Sequence, residues 1–269
     1  MKEILIIPDI HGRGYFKEAL HEAVSSRVEI VCLGDYLDPY IEDGITDNEA
    51  FTLLEELVKL KKAEPLMVHL IIGNHDSGYI YGPQICVSRY DWENAKRNHE
   101  FFMRNALCFD LFYEIRLAGK RFLFSHAGIT SKWLSDTGYP PDNIDEALIS
   151  LKKEYLEFCL DSSKTAIWEK LAHISEARGG KHKSGSMIWA DFFEHTTRPN
   201  WLNGDNMIQI IGHTRLNFHP VRVSNRLFCL DCGAPFYLDT QGVIRSWETN
   251  ESVMNTDNFA FTGLVNRCL

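Results

Sequence analysis

The first third of the chain alternates between short apolar runs and segments with apolar residues at helical spacing. Residues 3–9, 28–34 and 66–72 are short apolar runs, which are typical of strands buried on both faces. Between them, residues 15–25 and 48–62 place apolar side chains on one face of a helix. The order strand, helix, strand, helix, strand predicts a parallel sheet that is covered by helices.

The pattern changes after residue 110. Residues 112–118 and 121–125 flank Gly119-Lys120, which predicts a β-hairpin. Residues 143–173 have a helical pattern, and the glycine-rich residues 179–186 are expected to form a mobile loop. Short strands are expected further on, at residues 207–211, 220–223, 227–231, 236–239 and 243–247.

Together these segments predict an α/β fold with mixed sheets. We expect one domain over residues 1–269, with a helical insertion at about residues 131–200. The length of 269 residues fits one large domain or one domain that carries an insertion.

Composition excludes several classes of protein. Apolar residues make up 45% of the chain, as in ordinary globular proteins, and the net charge of −9 disfavours stable binding to nucleic acid. No apolar stretch reaches the roughly 20 residues of a membrane span. The seven cysteines are irregularly spaced, so we expect free thiols and a cytoplasmic location. Cys229 and Cys232 lack the second pair that a structural zinc site needs.

Polar side chains that can bind metals follow each of the first three predicted strands. These clusters are Asp9-Ile10-His11-Gly12, Gly34-Asp35-Tyr36-Leu37-Asp38 and Gly73-Asn74-His75-Asp76. Two later strands end in His126-Ala127-Gly128 and Gly212-His213-Thr214. Because sites in open α/β sheets form outside the carboxyl ends of strands, we expect one shared site.

The residue types at these strand ends favour a pair of divalent metal ions. Aspartate, histidine and asparagine offer mixed oxygen and nitrogen ligands without a thiolate. Such sites accept several metals, so manganese, iron, zinc and magnesium all fit the residue types. Of these, manganese is our first expectation. Two ions held by two carboxylates keep a surplus positive charge, which suits a phosphate ester and can activate a water molecule for attack at phosphorus.

The motifs DxHG, GDxxD, GNHD, HAG and GHT run in this order from Asp9 to Thr214. In this respect the chain resembles the calcineurin-like metallophosphoesterases, in particular the branch with the phosphoprotein phosphatases and the symmetric diadenosine-tetraphosphate hydrolases. The resemblance implies a four-layer α/β/β/α sandwich. It also implies a hydrolase that acts on phosphoric ester bonds.

The resemblance assigns a role to each strand-end side chain. Six residues would bind the metals: Asp9 and His11 the first ion, Asp35 both ions, and Asn74, His126 and His213 the second ion. His75 would protonate the leaving group and Asp38 would orient it. A carboxylate partner favours the imidazolium form of a histidine and fixes its orientation.

The chain departs from the family at the residue that usually binds phosphate. Many members read GDxxDRG, whereas Pro39 stands here in place of that arginine. Arg13 is the first candidate to replace it, and Arg215 is a second one. Asn74 is also expected to contact phosphate. Arg215 occupies the second histidine position of the GHxH motif of the phosphodiesterases, which favours the phosphatase-like branch.

Three functions are compatible with these residues. The first is hydrolysis of phosphate monoesters, as by a Ser/Thr phosphatase, through a hydroxide activated by two metals. The second keeps this chemistry with a dinucleoside polyphosphate such as diadenosine tetraphosphate as substrate. The third is a metal-binding scaffold without activity. The expected partner is a phosphorylated substrate (phosphoprotein, metabolite or nucleotide), and the sequence does not define the substrate or the oligomeric state.

Overall fold

A computed structural model describes residues 2–82, 88–197, 207–216, 219–224 and 226–253. Two mixed β-sheets pack face to face and carry helices on their outer faces. This is the four-layer α/β/β/α arrangement that the sequence predicted.

The first sheet contains six strands in the order β11-β10-β1-β2-β3-β4. Strands β1 to β4 are parallel, whereas β10 is antiparallel to β1 and β11 to β10. Their bounds are β1 Lys2–Ile7, β2 Glu29–Cys32, β3 Val68–Ile71, β4 Phe109–Asp110, β10 Phe236–Asp239 and β11 Ile244–Ser246. The predicted parallel sheet is thus confirmed, and two later strands extend it.

The second sheet contains five strands in the order β5-β6-β7-β9-β8. Strands β6, β7 and β9 are parallel, and the two edge strands are antiparallel to their neighbours. Their bounds are β5 Phe112–Leu117, β6 Lys120–Ser125, β7 Met207–Ile211, β8 Val221–Ser224 and β9 Leu227–Cys229. The predicted hairpin is confirmed as β5 and β6, joined by Ala118 and Gly119 with φ of 50° and 73°, as a tight hairpin turn requires.

Strand β1 shows why both faces of the first sheet are apolar. Successive side chains point to opposite faces of a strand. Leu5 and Ile7 pack with side chains of the two helices that precede β2 and β3 in the chain. Ile4 and Ile6 pack against the second sheet. Burial on both faces explains the continuous apolar run in the sequence.

Eight α-helices lie in the described part of the chain. Their bounds are α1 Lys17–Ser25, α2 Asp47–Ala63, α3 Asn74–Ile80, α4 Ala95–Arg104, α5 Ser131–Asp136, α6 Ile144–Leu160, α7 Ala166–Leu171 and α8 Phe192–Thr197. Helices α5 to α8 lie between β6 and β7, where the helical insertion was predicted. That the chain forms a single domain with this insertion stays a prediction. Within the described ranges, no helix combines the length and the apolar content that a bilayer crossing requires.

The helical pattern at residues 143–173 forms two helices rather than one. Helix α6 ends at Leu160, and the Asp161 side chain accepts hydrogen bonds from the backbone N–H and the hydroxyl of Ser163. Such a local turn competes with the helix for backbone groups. The glycine-rich residues 179–186 are irregular, and the His182 ring stacks on His173 at 3.8 Å. That this loop is mobile stays a prediction.

Candidate metal centre

The predicted site residues meet at the carboxyl ends of strands from both sheets. The turns after β1 and β2 are joined because the His11 N–H donates to the Asp35 carbonyl at 2.6 Å. In the second sheet, the Gly212 N–H donates to the His126 carbonyl at 2.9 Å. All eight predicted metal ligands and proton-transfer residues are at most 9% exposed: Asp9, His11, Asp35, Asp38, Asn74, His75, His126 and His213.

Several of these side chains stand on backbone in the left-handed region. Positive φ values occur at His11 (45°), Asp35 (54°), Asp38 (59°) and His213 (65°). Residues other than glycine rarely adopt this conformation, and such strain collects at functional sites. The strained turns at these four residues therefore direct their side chains into the buried site.

Two glycines permit the close approach of the carboxylates. A Cβ atom on Gly73 would lie 2.1 Å from Oδ1 of Asp35, and one on Gly212 would lie 2.0 Å from Oδ1 of Asp9. Neither position could hold a larger residue without displacing a candidate ligand. This explains the glycines that precede Asn74 and His213 in the motifs.

Asp35 lies between two histidines of the site. Its Oδ2 is 3.5 Å from Nε2 of His11 and 3.5 Å from Nε2 of His126. Two groups of three potential ligands share this carboxylate, with ligand atoms within 4.8 Å of one another: His11, Asp35 and His75 in the first, and Asp35, His126 and His213 in the second. This shared position is the one that a bridging ligand needs.

Beside the second group, the side-chain oxygen of Asn74 converges with ring nitrogens of His126 and His213. The Leu33 carbonyl can only accept a hydrogen bond, so His126 donates to it from Nδ1 at 2.8 Å, which in a neutral ring makes Nε2 an acceptor. That Nε2 lies 2.9 Å from Oδ1 of Asn74 and 3.1 Å from Nδ1 of His213.

A hydrogen on Nδ1 of His213 could bond either Nε2 of His126 or Oδ1 of Asn74, but not both. The buried Nε2 of His213 has no partner among the described residues. Burial also lowers the pKa of His213 well below its usual value, which favours the neutral ring. A cation between Nε2 of His126, Nδ1 of His213 and Oδ1 of Asn74 would be bound by all three atoms, so these donors fit a divalent metal.

The first group is prepared in the same way. His11 donates from Nδ1 to the Leu37 carbonyl at 2.8 Å and thus turns Nε2 toward Asp35. Asp9, predicted as a ligand of this ion, lies outside both groups. Its carboxylate accepts the His213 N–H at 2.9 and 3.1 Å. Its role as a ligand stays a prediction.

Burial is the largest influence on the pKa of the carboxylates at this site. Burial raises the pKa of Asp9 and of Asp35 well above the usual value. The neighbouring carboxylates of Asp231 and Asp76, respectively, add to this effect. Divalent cations would favour the ionised forms of both groups, which again fits a metal centre.

His75 and Asp38 form the hydrogen-bonded pair that the sequence predicted. Nδ1 of His75 lies 2.6 Å from Oδ2 of Asp38, and Oδ1 of Asp38 accepts the hydroxyl of Tyr79. Burial raises the pKa of Asp38 to about 7, while the Tyr79 hydrogen bond and then Arg89 oppose the rise. Burial, followed by the charge of Arg89, lowers the pKa of His75. The pair is thus shielded from solvent, with His75 6% and Asp38 1% exposed.

Asp76 has a role that sequence reasoning missed. Its carboxylate accepts the backbone N–H groups of Asp35 at 2.9 Å, Tyr36 at 3.0 Å and Gly73 at 2.8 Å. It therefore fixes the turns after β2 and β3 relative to each other. The signal in the sequence was its place in the GNHD motif, directly after two candidate site residues.

The predicted phosphate-binding arginines both have partners. Arg13 donates to the Asp9 carbonyl at 2.8 Å and lies 3.8 Å from the Asp231 carboxylate. Arg215 donates to the Glu42 carboxylate at 2.8 Å. A third arginine, Arg89, was not predicted, and its Nε donates to the Asp38 carbonyl at 3.1 Å. No motif or spacing marks Arg89 in the sequence.

Comparison with known proteins agrees with this fold. A family model described as calcineurin-like phosphoesterase matches residues 2–214. The chain belongs to this family, and it is a hydrolase that acts on phosphoester bonds. The resemblance stated from the motifs is thereby confirmed at the level of the family. No curated protein sequence gives a significant match.

A solved phosphatase structure shares the fold at low sequence identity, and a second solved phosphatase structure is less similar. A cold-active protein-tyrosine phosphatase from a psychrophilic Shewanella species is 16% identical, with a TM-score of 0.59 over 94% of this chain and 80% of that one. A protein serine/threonine phosphatase from Saccharomyces cerevisiae is 15% identical, with a TM-score of 0.47 over 87% of this chain and 72% of that one.

Proposed function

We propose that this protein is a phosphatase that hydrolyses phosphate monoesters, as Ser/Thr phosphatases do, with two divalent ions of which manganese is our first expectation. One observation carries the proposal: two buried groups of potential ligands share Asp35, and His75 of the first group is hydrogen-bonded to Asp38. The substrate would be a phosphoprotein or a small phosphorylated metabolite.

Each residue would have a distinct role in this reaction. His11, Asp35, Asn74, His126 and His213 would hold the ions, with Asp9 completing the set. Bound ions would supply charge stabilisation at the phosphoryl oxygens and a more acidic water molecule. His75 would donate its Nε2 proton to the leaving oxygen as the bond to phosphorus breaks. Asp38 would hold the His75 ring and stabilise its charged form.

A dinucleoside polyphosphate is the second candidate substrate. The run His126-Ala127-Gly128-Ile129-Thr130 resembles that subgroup, and it directly follows β6 at the centre of the site. We also propose a cytoplasmic location, because the described cysteines are free thiols, as in a reducing compartment. A metal-binding scaffold without activity is the third hypothesis, and a comparison of substrates distinguishes it from an enzyme.

The test is a comparison of three substrates with and without added Mn²⁺. We expect metal-dependent hydrolysis of p-nitrophenyl phosphate above that of bis-p-nitrophenyl phosphate and diadenosine tetraphosphate. Preference for the dinucleotide would select the second candidate. Bound metal without turnover of any of the three would contradict the phosphatase proposal and favour the scaffold.

Asp35→Asn tests the shared ligand directly. The substitution keeps the shape of the side chain but removes the charge that both ions would share, so turnover and metal content should both fall to near background. Asp142→Asn is the matched control, because Asp142 is exposed in the loop before α6. Full activity of Asp35→Asn would contradict the two-metal arrangement.

A further inference from the structure

Three arginines surround the ring of Tyr40 beside the candidate metal centre. Tyr40 itself contacts the ring of His11, with centroids 4.9 Å apart. The guanidinium carbons of Arg89, Arg215 and Arg13 lie 3.8, 4.0 and 5.6 Å from the centroid of the Tyr40 ring. Aromatic rings attract cations over their faces, so Tyr40 gathers positive charge at this point.

Among the described residues, two of these three arginines have a carboxylate partner and the third, Arg89, has none. Arg215 pairs with Glu42 at 2.8 Å, and Arg13 lies 3.8 Å from Asp231 and 3.9 Å from Asp43. Arg89 donates instead to the Asp38 carbonyl and to the Ser88 hydroxyl, both at 3.1 Å. In the described part of the chain no carboxylate lies within ion-pair distance of it. Its charge is therefore available to an anion from outside.

Arg89 is also held in a fixed place near the proton-transfer pair. The stack on Tyr40 and the hydrogen bond to Asp38 restrain its side chain, and its backbone has a φ of 64°. Its positive charge adds to the effect of burial in lowering the pKa of His11 and of His75. A guanidinium that is ordered before binding loses less entropy for each hydrogen bond it forms.

We propose that Arg89 binds non-bridging oxygens of the substrate's phosphoryl group and thereby selects monoesters over diesters. This inference rests on the proposed function for its substrate class. A monoester presents three non-bridging oxygens and up to two negative charges, whereas a diester presents two oxygens and one charge. If two oxygens face the metals, only a monoester keeps a third for Arg89. Charge-assisted bonds from arginine to phosphate are among the strong hydrogen bonds of proteins.

The experiment uses the variants Arg89→Ala and Arg89→Lys in the full chain loaded with Mn²⁺. Binding of inorganic phosphate is measured by calorimetry, and kcat/KM is measured for p-nitrophenyl phosphate and for its bis ester. Metal content and melting temperature confirm that each variant is intact. Arg27→Ala is the matched control, because Arg27 is 69% exposed and precedes the amino end of β2, opposite the site.

We expect Arg89→Ala to weaken phosphate binding about 10-fold to 100-fold, as loss of hydrogen bonds between charged groups does. Its ratio of monoester to diester kcat/KM should fall by about 10-fold or more, and Arg89→Lys should recover only part of each loss because lysine lacks the planar fork. Arg27→Ala should change neither quantity.

Unchanged phosphate affinity in metal-loaded Arg89→Ala would overturn the inference, and so would equal losses on the two esters. The proposed function fails separately. If the wild-type chain hydrolyses no ester but binds phosphate, and Arg89→Ala weakens that binding, the phosphatase proposal is contradicted while the contact of Arg89 with phosphate is supported.

Discussion

At the scale of single residues, the position of His75 is compatible with two roles. The Tyr79 hydroxyl, the Asp38 carboxylate and the His75 ring form one hydrogen-bonded series, which points to proton transfer. The same ring also lies within 4.8 Å of ligand atoms of His11 and Asp35, which permits metal binding. Substrates with different leaving groups separate these two roles.

His75→Ala should lower kcat by about 10²-fold to 10⁴-fold, which is the usual effect of losing a general acid. The loss should be greater for phenyl phosphate than for p-nitrophenyl phosphate, because p-nitrophenolate leaves with little need of a proton. Metal content, measured by elemental analysis, should stay at the wild-type level. If metal and turnover disappear together, His75 is a ligand rather than an acid.

At the scale of elements, periodicity predicted the strands and helices that are buried on a regular face. The clearest case is α2, where Leu53, Leu54 and Leu57 fall on one buried face. Periodicity could not show that α6 and α7 are separate, because the turn at Asp161 depends on a local side-chain hydrogen bond. It also could not assign β10 to the first sheet, since that pairing joins residues more than 200 positions apart in the chain, as Ile6 with Phe236 shows.

One contact between elements joins the two sheets and makes stability depend on pH. The ring of His69 in β3 stacks on Tyr113 in β5 at 3.6 Å. Burial, with Lys61 and Lys152 adding to it, lowers the pKa of His69 to about 4. The unfolded chain takes up this proton near pH 6.5, whereas the folded chain takes it up only near its lowered pKa.

Stability from His69 is therefore complete above about pH 6.5 and is lost as the pH falls toward about 4. His69→Phe keeps the stacked ring and removes the titration, so it should lose less stability than the wild type between pH 7.5 and 4.5. We expect the difference in the free energy of unfolding to be about 1–2 kcal/mol after allowance for partial exposure. Urea denaturation at the two pH values measures it, and equal losses in both proteins would show that folding does not lower the pKa of His69.

At the scale of the whole molecule, the sequence predicted the members of the site better than their arrangement. Strand ends with aspartate, histidine or asparagine could be read directly, since each motif follows an apolar run. The sharing of Asp35 between two histidines could not, because it depends on how two sheets face each other. Arg89 was missed for a similar reason: it approaches Tyr40 across a long stretch of chain and belongs to no motif.

The candidate metal centre also connects the two sheets. Asp35 and Asn74 follow strands of the first sheet, whereas His126 and His213 follow strands of the second. Ions bound between them would stabilise the folded chain alone, because the ligands separate on unfolding. Binding at a concentration 1,000 times the dissociation constant contributes about 4 kcal/mol per site.

Removal of the metals should therefore lower the melting temperature by about 10 °C or more, since about 1 kcal/mol corresponds to about 2–4 °C in a chain of this size. Calorimetry before and after dialysis against a chelator measures the shift, and restored Mn²⁺ should reverse it. Asp35→Asn is the control, because a chain that binds little metal should melt at the same temperature with and without the chelator. An unchanged melting temperature of the wild type, after elemental analysis shows that the metal has left, would mean that the ions do not hold the two sheets together.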